Sequence, residues 1–154
     1  IEGNLIAWIT FDSVGTDTDV MLFDGTTTVP LSTATDDVNG NLSLVKKCLA
    51  WSENDGSDNE IFLWEKGVVT RITDNAEDDE SVANYGNKLV WLWQDPRSTQ
   101  FEVMYRNSKG LITPITNNDR RDRTPCFNGK TIFWQRSVSG NGDIYYFPGK
   151  TKLP

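Results

Sequence analysis

The chain of 154 residues contains no histidine. This absence excludes, within the chain, a Ser-His-Asp triad, a Cys-His pair and any histidine-ligated zinc or iron site. Its two cysteines, Cys48 and Cys126, are too few for a disulfide framework. We expect both to be buried free thiols that pack as small hydrophobic side chains. A phosphate-binding Gly-x-x-x-x-Gly-Lys loop is missing as well. We therefore expect no catalytic residue and no organic cofactor in this chain.

Long apolar runs and an excess of positive charge are also lacking. No run approaches the roughly eighteen apolar residues of a transmembrane helix, so we expect no membrane insertion. Asp and Glu number 22 against 15 Lys and Arg, a net charge of −7. An acidic surface repels phosphate backbones, which argues against a nucleic-acid partner. One basic stretch, residues 120–123, is either an exposed loop with solvated charges or a contact for an anion or a partner.

What the sequence does contain is a short apolar segment ending in tryptophan that is repeated four times. Trp8, Trp51, Trp91 and Trp134 each close a short apolar run, and they lie 43, 40 and 43 residues apart. A period of about 40 residues built from short strands is typical of β-propeller blades. We predict that these four tryptophans form the structural repeat core, where one blade packs on the next.

Each repeat reads as four short strands separated by turns rich in Gly, Asn and Asp. The segments are dense in β-branched and aromatic residues, and no helical periodicity is sustained. After the tryptophan strand comes an acidic residue with a short apolar run, as in residues 60–64, and then a Leu-Ser or Ile-Thr strand. We predict an all-β propeller of about four blade repeats of four-stranded antiparallel sheets. The approximate repeat boundaries are 1–34, 35–75, 76–118 and 119–154.

The two ends of the chain raise the question of how a ring would close. Residues 1–3 leave no room for an inner strand, so we expect the first blade to lack one. Three arrangements remain open. The chain is part of a larger propeller, or half of an eight-bladed ring completed by a second copy, or a four-bladed ring.

The order of elements within a repeat resembles a known family. It consists of a turn such as Asn128-Gly129, two apolar residues and tryptophan, a polar hairpin, an Asp-Ile-aromatic segment as in residues 143–147, a glycine and a Leu-Thr strand. This pattern resembles the TolB-type propeller repeat, and dipeptidyl peptidase IV-type propellers carry a similar blade. The second unit departs from it, with Lys46-Lys47 where a glycine is usual. Such blades occur in scaffolds, periplasmic partners, lectins and domains attached to hydrolases, so the resemblance implies an extracytoplasmic bacterial protein, periplasmic or secreted.

Acidic hairpins after the tryptophan strands are candidates for a metal site, as is the acidic loop at residues 74–80. Asp17, Asp19, Asp55 and Asp58 offer the oxygen ligands that calcium prefers. The spacing does not match an EF-hand, and Asp, Asn, Gly and Ser are also the residues that tight turns require. A calcium site and a purely structural turn are therefore both open.

Three further acids recur just ahead of the inner strands. They are Asp37, Asp79 and Asp122, and we expect them to cap a turn by accepting backbone N–H bonds.

Two tryptophans, Trp64 and Trp93, fall outside the period. Exposed indole rings stack on sugars and anchor protein interfaces, but packing within the blade explains both positions as well. We expect a non-enzymatic propeller scaffold that binds a protein partner, or associates with itself, through loops on one face of the ring. One alternative is a carbohydrate-binding, lectin-like propeller. The other is an accessory propeller domain of a larger secreted enzyme.

Overall fold

Fourteen β-strands in four antiparallel sheets, with no helix, make up the part of the chain that the computed structural model describes, residues 1–11, 18–32, 37–138 and 140–149. Each sheet uses one repeat of the sequence. The all-β propeller architecture with about four blades is confirmed. In the same part of the chain there is no helix with the length and apolar composition needed to cross a bilayer.

Strands within each sheet follow chain order, as in a blade. The first sheet is β1 (Ile6–Phe11), β2 (Thr18–Phe23) and β3 (Thr28–Pro30). The second is β4 (Val38–Val45), β5 (Cys48–Asn54), β6 (Asn59–Glu65) and β7 (Val68–Arg71). The third is β8 (Asp79–Tyr85), β9 (Lys88–Gln94), β10 (Phe101–Arg106) and β11 (Ile112–Pro114). The fourth is β12 (Asp122–Phe127), β13 (Ile132–Val138) and β14 (Asn141–Phe147).

The repeat boundaries given above remain a prediction. In the first sheet β1, which carries Trp8, lies at the edge. The expected last strand at residues 152–153 lies outside the described residues.

A lysine pair replaces the usual glycine in the β4–β5 hairpin. Lys46 and Lys47 both adopt left-handed backbone angles, with φ of 55° and 57°. Positive φ at both central residues is the requirement of a type I′ turn, whose twist matches that of the flanking strands. The hairpin therefore forms a two-residue turn without glycine, whereas the corresponding β8–β9 turn has positive φ at Gly86 only.

The inner strands β4, β8 and β12 share a break in their pairing. The register shifts between Asn39 and Ser43, between Glu80 and Ala83, and between Arg123 and Cys126. Inside two of these breaks, Ser81 and Thr124 have φ of 57° and 44°. Bulges of this kind bend a strand and re-aim its side chains, so each inner strand turns at a similar point.

A Ser or Thr after β3, β7 and β11 explains the Leu-Ser and Ile-Thr pattern. The hydroxyls of Ser32, Thr73 and Thr116 accept hydrogen bonds from a backbone N–H of β2, β6 and β10, the strand that follows the tryptophan strand, at 2.7, 2.8 and 2.8 Å. These hydroxyls satisfy backbone donors just beyond the last ladder pairs. They thus continue the pairing of the outer strand by one position.

Three apolar clusters hold adjacent units together, and each contains one tryptophan of the following unit. Trp51 packs with Val20, Trp91 with Ile61, and Trp134 belongs to the cluster of Val103. Trp51 and Trp91 are 1% exposed and Trp134 is 7% exposed. Each tryptophan thus contacts the strand that follows the tryptophan strand in the preceding unit, which is the packing between blades that the period predicted.

Two positions differ from the sequence expectation. Trp8 is 37% exposed, because in the described part of the chain no preceding unit covers β1. Of the two free cysteines Cys48 is buried, but Cys126 is exposed, so the expectation of two buried thiols is wrong for Cys126. It lies on the bulged strand β12, where the register shift alters which side chains face inward.

Candidate functional site

A buried glutamate occupies the same position in the second and third units. Glu60 and Glu102 are 0% and 1% exposed, near the start of β6 and β10. Glu60 Oε1 accepts hydrogen bonds from the backbone N of Asn75 at 2.8 Å and from Arg71 Nη2 at 2.9 Å. Glu102 accepts two bonds from Asn118, from its backbone N at 2.6 Å and from its Nδ2 at 3.0 Å. Each glutamate thereby holds the loop that leads into the next unit.

The same asparagines reach the first acid of the next unit. Asp79 accepts hydrogen bonds from the Asn75 amide and from the Trp91 indole N–H. Asp122 accepts two bonds from the Arg136 guanidinium, at 2.7 and 3.0 Å. These acids therefore join neighbouring strands through side-chain donors, and the expectation that they accept backbone N–H bonds is wrong for Asp79 and Asp122.

The third acid of that set is placed differently. Asp37 is exposed, and its backbone carbonyl accepts a hydrogen bond from Asn54 N at 2.8 Å.

Burial shifts the titration of two of these interface acids. Burial raises the pKa of Asp79 from 3.8 to about 7, against the opposing effect of its hydrogen bonds, and the charge of Glu60 raises it further. Burial also raises the pKa of Glu102, partly offset by its hydrogen bonds. Asp79 therefore changes charge near neutral pH.

Hairpins and inter-unit loops come together on one side of the sheets, which we call the loop face. It consists of hairpins 54–59 and 94–101 and of loops 72–78 and 115–121. Asp78 Oδ1 accepts from the backbone N and the Nδ2 of Asn59, at 3.0 and 2.9 Å. Arg97 Nη2 donates to Asn117 Oδ1 at 3.1 Å. Each hairpin is thus tied to the loop beside it.

On this face the second unit brings three carboxylates together. One oxygen each from Asp55, Asp58 and Glu60 lie within 4.8 Å of one another. Asp58 is 9% exposed, and burial together with the charges of Glu60 and Asp55 raises its pKa. Arg71 Nη2 pairs with Asp55 at 2.6 Å and with Glu60 at 2.9 Å. Two buried oxygens, Asp58 Oδ2 and Glu60 Oε2, have no hydrogen-bond partner.

The structure therefore divides the four predicted calcium ligands. It brings Asp55 and Asp58 together. Asp19 lies in the first unit, where its Oδ1 accepts a bond from the Ser32 hydroxyl at 3.2 Å, and Asp17 lies outside the described residues. Glu60 was missed as a ligand, although it lies only two residues after Asp58.

A cavity of about 350 Å³ lies beside this cluster, between the second and third units. We call it the acidic groove. Its apolar lining consists of Ile72, Trp91, Trp93, Met104 and Ile112, and its polar lining of Thr73, Asp74, Asn75, Glu77 and Asp79. This combination of apolar and acidic lining residues suits a ligand with an apolar side chain and a positive charge.

A second cavity, of about 490 Å³, has a different lining, which includes Glu2, Asp24, Lys47, Trp64 and Lys66. Trp64 and Trp93, the two tryptophans outside the period, are thus each half-buried at a cavity.

The basic stretch 120–123 separates into two parts. Arg120 and Arg121 are exposed, whereas Asp122 and Arg123 already belong to β12 and Asp122 is fully buried. Arg121 lies over the Phe101 ring at 5.8 Å. The stretch is therefore not a uniform solvated loop.

No protein-family model and no curated protein matches the chain. Solved structures do. TolB from Acinetobacter baumannii matches with a TM-score of 0.66 and 13% identity, over 96% of this chain and 39% of that one. Dipeptidyl peptidase 4 from Porphyromonas gingivalis matches with a TM-score of 0.72 and 16% identity, over 96% of this chain and 23% of that one. The β-propeller domain of the Trilobed protease from Pyrococcus furiosus matches with a TM-score of 0.70 and 7% identity, over 96% of this chain and 47% of that one.

This chain thus spans less than half the length of each of these three proteins. Identities this low carry the likeness of fold and nothing finer. The sequence resemblance is confirmed at that level: the chain has the β-propeller fold of TolB and of dipeptidyl peptidase 4-type propellers.

Proposed function

We propose that the chain is a non-enzymatic β-propeller scaffold that binds a protein partner through the loop face. The observation that carries this proposal is the acidic groove, where Trp93 and Met104 lie beside the carboxylates of Asp74 and Glu77. Side chains on loops held by a rigid scaffold are the common way in which such folds acquire binding functions. The partner segment that fits the groove presents an apolar side chain next to Lys or Arg.

Peptide selection tests the proposal. Random peptides displayed on phage are selected against the chain, and the enriched peptides are synthesised and titrated. We expect an apolar residue next to Lys or Arg, and binding that weakens with added salt because the charges are exposed. Trp93→Ala and Glu77→Lys should abolish binding, whereas Val29→Ala, at an exposed apolar position of the first unit that does not line the groove, should not. Peptides that bind Trp93→Ala as well as the parent chain would contradict the proposal.

The outer surfaces of the first and the fourth sheets, which we call the end faces, support association with a further propeller sheet. Ile61 and Val103 are fully buried, but Ile144, in the same repeat position of the last unit, is 74% exposed. Leu63 is 4% exposed, while its counterpart Tyr146 is 66% exposed. These side chains occupy positions that the inner units bury against the next tryptophan strand.

At the opposite end, Ile6 and Trp8 are 36% and 37% exposed, whereas Leu49 and Trp51 in the second unit are almost fully buried. One end thus presents a tryptophan strand and the other presents the surface on which such a strand packs. We infer that two copies associate head to tail through these faces.

Light scattering after size-exclusion chromatography tests the association. We expect a mass of twice 17.4 kDa that falls to 17.4 kDa in Tyr146→Glu. Val68→Glu, at an exposed position on β7, does not alter an end face and serves as the charge-matched control. A monomer at every concentration up to the solubility limit would contradict self-association.

A second candidate function is that of an accessory propeller in a larger secreted enzyme. It is favoured by the likeness to the propeller domain of a protease and to a dipeptidyl peptidase. A catalytic domain encoded next to this chain in its gene would support it. A lectin role is less favoured, because the two cavities have different linings where a repeated sugar site would be alike. An extracytoplasmic bacterial location, suggested by the resemblance, is part of the proposal and is tested by cell fractionation.

A further inference from the structure

We propose that Asp55, Asp58 and Glu60 form a calcium site on the loop face of the second unit. The site combines the β5–β6 hairpin, which supplies the two aspartates, with the start of β6, which supplies the glutamate. It lies outside the lining of the acidic groove and does not depend on a protein partner.

The distances fit one ion. Three oxygens that all lie within 4.8 Å of one another have a common point no more than about 2.8 Å from each of them, so a small side-chain adjustment brings all three into the calcium–oxygen range of about 2.3–2.6 Å. Solvent or backbone oxygens would complete the six to eight ligands that calcium takes. Smaller magnesium requires near-ideal octahedral geometry and keeps its waters, so this set of carboxylates favours calcium.

Two unsatisfied oxygens point to a missing ligand. Asp58 Oδ2 and Glu60 Oε2 are inaccessible to solvent and accept no hydrogen bond. Asp58 is more than nine-tenths buried and Glu60 completely so. A buried carboxylate oxygen without a partner is costly, and such atoms in a folded protein call for an ion, a proton or a water.

The charge around the cluster is also incompletely balanced. The Arg71 guanidinium is shared among Asp55, Glu60 and Asp74, while Asp78 adds a further negative charge near Asp58. Arg71 reaches Glu60 through Oε1 and so leaves Oε2 free. A divalent cation supplies the remaining positive charge at the two oxygens that Arg71 does not reach.

The third unit provides an internal control. Glu102 stands where Glu60 stands, but both of its oxygens accept bonds from Asn118. The hairpin of that unit has Arg97 bound to Asp95, where the second unit has Asp58 after Asp55. The same strand arrangement therefore carries an acid with both oxygens hydrogen-bonded in the third unit, and an acidic cluster with two unbonded oxygens in the second.

Calorimetry with CaCl₂ tests the site on the whole chain at constant ionic strength, after chelation. We expect one calcium per chain with a Kd on the order of 10⁻⁴–10⁻³ M, as for weak extracellular sites, and weaker binding of MgCl₂. Asp58→Asn should weaken calcium binding by about tenfold or more, because it removes one of the two unsatisfied oxygens as an anionic ligand. Glu102→Gln, the matched control, should leave the Kd unchanged.

Hydrogen exchange of the unsubstituted chain keeps the test decisive if Asp58→Asn fails to fold. Calcium should slow amide exchange in residues 54–60 and leave the equivalent hairpin 94–101 unaffected. The proposal is overturned by the absence of calcium heat at about 10 mM, by unchanged affinity in a folded Asp58→Asn variant, or by calcium binding without protection of residues 54–60.

Discussion

Two interfaces between units can be compared, the one between the second and third units and the one between the third and fourth. Their strands are arranged alike, but their buried acids are neutralised to different extents. In the later interface Arg136 binds Asp122 through two nitrogens, and Glu102 is satisfied by Asn118. In the earlier interface Asp79 has neutral donors, and Glu60 keeps one oxygen without a partner. The strands determine where an acid is buried, but the neighbouring loops determine whether its charge is neutralised.

This difference separates structural acids from candidate functional ones. An acid whose oxygens are all bonded within the protein holds two units together. An acid cluster with unsatisfied oxygens has capacity left for a ligand. Repeat proteins can therefore add a site in one unit without changing the packing of the others.

The largest expected effect comes from breaking the later interface. Asp122→Ala leaves the mostly buried Arg136 guanidinium without its carboxylate, and the loss of one partner of a buried ion pair costs about 3–5 kcal/mol. Urea denaturation measures the loss. Asp119→Ala, an exposed acid in the preceding loop, should leave stability nearly unchanged. Equal losses in the two variants would show that the pair does not hold the interface.

The earlier interface should respond to pH. Asp79 has a pKa of about 7 in the native chain, against 3.8 in the unfolded chain, so between these values the native state retains a proton that the unfolded state has lost. The contribution of Asp79 to the free energy of unfolding is then highest below about pH 4, falls by about 1.4 kcal/mol per pH unit up to about pH 7, and levels off above that.

Comparison with Asp79→Asn, by urea denaturation at several pH values, isolates this contribution. The variant should lack the part of the slope due to one proton, while Asp119→Asn should keep it. A slope between about pH 4 and pH 7 that Asp79→Asn does not change would contradict the assignment.

The two interface tryptophans should differ on replacement by phenylalanine. Trp91 donates its indole N–H to Asp79, whereas the buried indole nitrogen of Trp134 has no partner. Trp91→Phe should therefore destabilise the chain by about 1–3 kcal/mol more than Trp134→Phe, the usual cost of leaving a buried polar group without its hydrogen-bond partner. Thermal and urea denaturation of both variants measure the difference. A larger loss in Trp134→Phe would reverse the comparison.

The smallest effect is expected at Arg97. It pairs with Asp95 at 2.6 Å, but its side chain is 69% exposed, and solvent and salt weaken such pairs. Arg97→Ala should shift the urea midpoint little. Arg71→Ala, which leaves the fully buried Glu60 without its guanidinium, should shift it clearly more. Similar shifts of the urea midpoint in the two variants would show that the burial of Glu60 does not make Arg71 more important for stability than Arg97.

Much of the fold could be predicted from the sequence because its signals are local. The spacing of Trp8, Trp51, Trp91 and Trp134 indicated the repeat, and segments rich in β-branched and aromatic residues between turn residues indicated the strands. Lys46 and Lys47 lacked the usual glycine signal, yet the strands on either side still imposed the type I′ turn. Local propensity yields to pairing when both flanking strands are strong.

Less of the candidate site could be predicted, since it depends on contacts between separate segments. Asp55 and Asp58 were recognisable as possible oxygen ligands, but Glu60 resembled the acids at the same place in other units. Glu60 differs from Glu102 because the side-chain amide of Asn75 bonds Asp79, whereas that of Asn118 bonds Glu102, and because Arg71 reaches only one oxygen of Glu60. No pattern within a single repeat contains that information.

By itself, the sequence determined that this protein folds as propeller blades, because hydrophobic period and turn chemistry act over a few residues at a time. Only the tertiary structure decided which acids are neutralised, why Trp8 is more exposed than the other three repeat tryptophans, and which thiol reaches the surface. These properties depend on what a neighbouring unit places against each side chain. Burial and charge compensation are set by that neighbour and not by the residue's own position in the repeat.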